Sequence, residues 1–133
     1  MPAENAETVR TVVDAFNRRD FDAALAPLRD DVTWERFLSR AEAATPAVLG
    51  KEELLAVWKS QVEAVDLRVE PEEFIPIGDR VVAPMRMIAR GSGSEIELSS
   101  SITWVSTFDD EGLCTKVEAY DDREDALRAV RSE

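Results

Sequence analysis

The chain has 133 residues, a formal net charge of −12, and 44% hydrophobic against 33% charged residues. That is the composition of one globular domain with a workable core. The negative field opposes phosphate backbones and anionic lipid surfaces, so neither nucleic acid nor membrane is an expected partner. There is no histidine. This removes Ser–His and Cys–His nucleophile pairs, imidazole general bases and the usual zinc and non-haem iron sites, and no cofactor is expected. Acid–base chemistry would have to use Asp, Glu, Tyr, Lys or an ordered water. Cys114 is the single cysteine. It cannot form an intrachain disulfide and, with no histidine to activate it, reads as a half-buried structural thiol. The acidic start "MPAENAETVR" lacks the apolar region of a signal peptide, and no apolar run approaches a membrane span. A cytoplasmic location is therefore expected.

Val9, Val12, Val13 and Phe16 fall at i, i+3, i+4 and i+7 and predict a helix over residues 4–18. "NRRD" at 17–20 breaks it, and Asp20 reads as the N-cap of a second helix carrying Phe21, Ala24, Leu25 and Leu28. Pro27 keeps that helix short or kinked. "DDVTWERF" predicts a strand with Val32, Trp34 and Arg36 on one face and Thr33 and Glu35 on the other. Residues 38–50 are small and irregular and read as a loop. Leu54, Trp58, Val62 and Val65 stripe a third helix over 51–65. From residue 67 the period changes to two. "LRVEPEEFIPI" is a strand interrupted by Pro71 and Pro76, hence bulged or at an edge. "GDR" at 78–80 predicts a hairpin turn into "RVVAPMRMIAR". "GSGS" at 91–94 turns into the long strand "EIELSSSITWVSTF", and "DDEG" at 109–112 turns into "LCTKVEAY". The tail "DDREDALRAV" predicts a helix capped by Asp122.

The order is helix, helix, strand, helix, then hairpin-joined strands. It predicts an α+β fold over residues 1–133, with helices on one face of an antiparallel sheet. A long bulged sheet curls, and helices closing its concave face leave a pocket.

"VRTVVDAFNRRDFDAALAPLRDDVTWE" resembles the opening of a SnoaL-like domain of the NTF2-like superfamily. "GDRVVAPMRMIARGSGSEIE" and "FDDEGLCTKVEAYDDREDAL" resemble its last three strands and tail. The resemblance implies a cone-shaped fold whose curved sheet is closed by three helices, with a short C-terminal helix. It leaves activity open, because the fold hosts isomerases, cyclases, dehydratases, epoxide hydrolases and non-catalytic modules. Matched to the ketosteroid isomerases of the superfamily, the three functional positions fall on Val12, Arg36 and Trp104. None can play the isomerase role: valine has no donor, arginine is no base at neutral pH, and an indole N–H is a weak stand-in. Dehydratase chemistry of the histidine-dependent kind falls with the histidine count. The Asp–Arg–Asp constellation of limonene epoxide hydrolases has no counterpart on the strand of Arg86. The polyketide cyclases of the group use a pocket aspartate, for which Asp121 is the nearest match.

Alternation and the resemblance together turn Trp34, Arg36, Leu54, Trp58, Met85, Met87, Ile102, Trp104, Val117, Ala119 and Asp121 inward. Trp34, Trp58, Met85, Met87 and Trp104 are the expected ligand walls, suited to a small apolar or aromatic molecule. For any single one of them, plain core filling is the favoured reading. Arg36 and Asp121 are the expected polar pair, and three roles stay open. They pair as a structural ion bridge; or Arg36 holds a ligand anion oriented by Asp121; or Asp121 is a general acid–base with Arg36 stabilising developing charge. Glu35, Arg86 and Tyr120 are expected to face outward. The outward side of the long strand, with Ser99, Ser101, Thr103 and Val105, offers a surface for a homodimer. A non-catalytic dimerisation or interaction module with a filled cavity is the alternative expectation.

Overall fold

In a computed structural model of the chain, the residues described are 2–37, 48–91 and 96–131. Helix α1 (Pro2–Asn17) buries Val9, Val12, Val13 and Phe16, the stripe that its periodicity predicts. It ends where Arg19 takes a left-handed conformation, φ 64°, an uncommon state for a residue with a Cβ. Tertiary bonds hold it there: the Arg19 guanidinium donates to the carbonyls of Phe16 and Leu67 and to the Asp66 carboxylate. Asp20 then caps α2 (Phe21–Leu25) by accepting from the Ala23 N–H at 3.2 Å. α2 stops before Pro27.

Seven strands follow, with one long helix among them. They are β1 (Leu28–Phe37), β2 (Val48–Leu49), β3 (Val65–Pro71), β4 (Ile75–Ile77), β5 (Arg80–Gly91), β6 (Glu97–Phe108) and β7 (Cys114–Tyr120). Helix α3 (Gly50–Ala64) sits between β2 and β3, and α4 (Arg123–Arg131) closes the chain. β2 and the first residue of α3 come from the stretch expected to be a loop; residues 38–47 lie outside the described part, as do residues 92–94 of the "GSGS" turn and Glu95 after it. α3 begins on Gly50 at φ +87°, where a Cβ would come within 3.2 Å of the Asp30 carbonyl. The expected interrupted edge is present as β3 and β4, both paired with β5; Pro71 ends β3, the break falls at residues 72–74, and Pro76 sits inside β4 opposite Val81. Asp122 caps α4 through the Glu124 N–H at 2.9 Å.

The sheet runs β2-β1-β7-β6-β5-β3 and curls into a half-barrel. All described strand pairs are antiparallel except β1–β7, which is parallel over Trp34↔Val117 and Arg36↔Ala119. The expectation of an antiparallel sheet is corrected at that pair. β1 reaches β7 only after α3 and the whole β3–β6 meander, and such a long crossover permits parallel pairing where a hairpin would forbid it.

Two apolar clusters lie on opposite faces. The larger sits between the concave face and α1, α2 and α3, and includes Val32, Trp34, Leu54, Trp58, Met85 and Trp104. The smaller joins Val82, Val105 and Tyr120 to Ala126, Leu127 and Val130 of α4. The period of two in β5 and β6 divides the strands between these faces. Among the described residues no helix is long and apolar enough to cross a membrane.

The outer edge of β3 is sealed by side chains. The Asn17 amide donates to the Val69 carbonyl at 2.8 Å and accepts from the Val69 N–H at 2.9 Å, as another strand would. Arg19 occupies the Leu67 carbonyl two residues away. Asn17→Ala should therefore lower stability by about 1–3 kcal/mol, since it strands two half-buried backbone groups. Urea denaturation of the variant against the parent chain measures this, and an unchanged midpoint would contradict it.

Candidate functional site

The concave face is built from paired large and small residues. Trp104 lies opposite Ala119 on β7 and Ala83 on β5. Trp34 lies opposite Val117, and Val117 opposite Ser106. The small neighbours leave room for two indoles, which meet edge to face at 4.9 Å between centroids and 85°. Trp58 descends from α3 onto Trp34 at 5.7 Å and 89°. Phe16 and Phe21 extend the contact from Trp58 at 5.5 and 6.0 Å. The T-shaped contacts, Trp34 with Trp104 and Trp58 and Phe16 with Trp58, set the positive ring edge against the negative face and add to the gain from burial alone; the Phe21 ring is tilted at 43°.

Between this aromatic row and α1 lies a cavity of about 10 Å³ lined by Thr8, Val9, Val12, Leu28, Trp34, Trp104, Ser106, Phe108, Cys114 and Val117. It has room for about one water. Of the expected walls, Trp34 and Trp104 line it. Trp58 and Met85 are buried in the same cluster without touching the cavity, and Met87 packs against that cluster half-buried. The contribution of α1 went unread in the sequence, although Val12 is one of the positions matched to the isomerases. Ser106 carried a readable signal, since it stands two residues beyond Trp104 and so shares its face.

Arg36 holds the register position opposite Ala119, two residues beyond Trp34; its side chain lies outside the described part of the structure. Asp121 follows directly on β7, half-buried and engaged by other groups, with Oδ1 shielded from solvent. Glu35 lies opposite Glu118 on the other face. There Tyr120 donates from Oη to Glu118 at 3.3 Å. Burial, and then the Glu118 charge, push the Tyr120 phenol up to about 12. Arg86 is exposed and its Nη1 lies 3.5 Å from Ser99 Oγ. Among the described residues no group of three or more potential metal ligands comes together.

Cys114 lines the cavity but is no nucleophile as it stands. Burial pushes its thiol up to about 12, against hydrogen bonds to the Lys116 and Thr107 backbone that act the other way.

A family profile described as the SnoaL-like domain matches residues 9–117. This chain belongs to the SnoaL-like family. Its fold is that of the NTF2-like superfamily. A search of the curated proteins returned no match. Among solved structures, an NTF2-like protein of unknown function from Burkholderia pseudomallei is similar, with 26% identity, TM-score 0.74, and 94% of this chain and 95% of that chain covered. TerC co-crystallised with polyporic acid is similar at 21% identity and TM-score 0.77, covering 98% and 99%. A Mycobacterium tuberculosis protein in complex with estradiol-17β-hemisuccinate is similar at 20% identity and TM-score 0.76, covering 90% and 94%.

In this SnoaL-like domain the raised pKa values carry a sign. Cys114 ordinarily ionises near 9.0 and Tyr120 near 10.0, and both are raised to about 12 in the fold. The unfolded chain then loses these protons first, so their contribution is whole below pH 9 and is lost as pH rises toward 12. The melting temperature should fall steadily across that window. Cys114→Ala should flatten the early part of the fall, and the native thiol should resist Ellman's reagent at pH 8 until the chain is denatured. Rapid native labelling would contradict this placement.

Proposed function

We propose that this SnoaL-like domain binds a small apolar or aromatic molecule bearing an acidic group. Trp34, Trp58 and Trp104 form its walls, Met85 and Met87 the sheet side, and Arg36 and Asp121 the polar end. The observation that carries this reading is the edge-to-face row Trp58–Trp34–Trp104, which gathers all three tryptophans of the chain on the concave face. In this reading the row supplies ring faces and edges to a flat guest. Support also comes from the similar structures, two of which hold compounds that are acids by name, polyporic acid and a hemisuccinate. A computationally designed 17-OHP binder is similar at 19% identity and TM-score 0.73. In our reading Arg36 answers the acidic group and Asp121 orients that arginine. Val12 and Trp104 stand where relatives with isomerase chemistry keep polar groups, which favours binding over proton transfer.

The small volume between the indoles and α1, about 10 Å³, favours a second reading. In it the cone is filled by its own side chains, and the domain is a non-catalytic interaction module.

Tryptophan fluorescence separates the two. A panel of ring compounds with and without a carboxylate is titrated into the protein. The first reading expects quenching, strongest for the acids. Arg36→Ala should weaken the acids by about ten- to a hundredfold, the worth of one charge-assisted hydrogen bond, and leave the neutral compounds unchanged. Asp121→Asn should weaken the acids less. No quenching by any compound, with no small molecule retained in native mass spectra, would establish the second reading.

A further inference from the structure

Two long stretches of the curved sheet's edge have no neighbouring strand among the described residues, and the chain treats them oppositely. Along β3, the backbone groups of Leu67 and Val69 are taken by Arg19 and Asn17. Along β6, the ladder to β7 covers only Thr103–Phe108. Residues 97–102 pair with β5 on one side, and no described strand lies on the other. Residues 96–101 are all exposed, and Ile96 and Leu98, at 70% and 69%, are the exposed large hydrophobics among the described residues. Edge strands are ordinarily protected by lysine, proline, a bulge or a covering element. Among the described residues, the stretch "LSSSI" at 98–102 has none of these. It contains no charge, and the neighbouring Glu97 is turned to Arg90 at 3.7 Å.

We propose that this edge pairs antiparallel with the same edge of a second copy of the chain, about a twofold axis at Ser100. The occupant is argued from the segment itself. Antiparallel self-pairing centred on Ser100 sets Leu98 opposite Ile102 twice and serine opposite serine between them, so apolar meets apolar and hydroxyl meets hydroxyl. Leu98, Ser100 and Ile102 lie on the concave side by parity with Trp104. The two half-barrels would thus join into one continuous sheet with their cavities on the same side. The dimer surface differs from that read in the sequence. Thr103 and Val105 are already buried, and Val105 packs in the cluster formed with α4, so only the distal serines of that face stay open. This inference does not depend on the ligand reading.

The charge adds a distinctive signature. Each copy carries a net charge of −12, while the paired edges carry none. Repulsion between copies is long-ranged and screened by salt, and the edge contact is not. Association should therefore strengthen with ionic strength, opposite to an interface held by ion pairs.

Sedimentation velocity from micromolar to sub-millimolar concentration tests this at low and high salt. The expected result is a concentration-dependent dimer that salt favours. Leu98→Lys and Ser100→Lys, both at exposed positions, should shift it to monomer with circular dichroism and melting unchanged. Ser100→Cys should form a disulfide-linked dimer on mild oxidation. Residues directly opposite in an antiparallel pair have Cα atoms about 4.5–5.5 Å apart, within the disulfide range of about 4.4–6.8 Å. Glu63→Cys on the exposed side of α3 should not cross-link. A chain monomeric at every concentration and salt, or a dimer that both edge variants leave intact, overturns the proposal.

Discussion

One side-chain amide fastens the helical half of this molecule to its sheet. Asn17 closes α1 and, from the same position, completes the hydrogen bonding of Val69 in both directions. A backbone group buried without a partner is costly, so the contact fixes the end of α1 over β3 to within hydrogen-bond tolerance. α1 also carries Val9 and Val12, which roof the cavity above Trp34 and Trp104. The tightness of the cone thus depends on a residue that touches neither the cavity nor the indoles. The left-handed Arg19 belongs to the same device, because its guanidinium holds the next carbonyl of the same strand.

Inside the cone, the balance of large and small residues decides what the space can do. Alanines at 83 and 119 flank Trp104, and the indoles take the room that larger neighbours would have claimed. Three aromatic contacts at near-right angles make an interlocked core rather than a loose greasy lining. In the binding role proposed above, an apolar interior of this kind would select guests by shape, and discrimination by charge would fall to the strand ends that carry Arg36 and Asp121.

Much of this was legible in the sequence, and the reason is local. The helical spacing of Val9, Val12, Val13 and Phe16 needs only one turn of context. The alternation around Trp34 and Trp104 needs only the pleat. Turns at 78–80 and 109–112 announce themselves through Gly and Asp. What stayed hidden is what depends on partners distant in the chain. The parallel register of β1 on β7 cannot be read from either strand. The double bond from Asn17 to Val69 spans fifty-two positions and looks, in the sequence, like an ordinary helix breaker. Val105 looked like free surface because nothing near it announces that α4 will cover it. The role of α1 in lining the cavity was hidden for the same reason: periodicity tells which face a helix buries, and not what it buries it against.

The aromatic row has an optical consequence. Because every tryptophan of the chain stands in it, the tryptophan emission of the protein is the emission of one small region. The three chromophores lie close enough to share excitation, so light absorbed by any of them is reported by the row as a whole. A displacement of a single indole alters all of that emission. The molecule therefore carries a built-in probe of its interior.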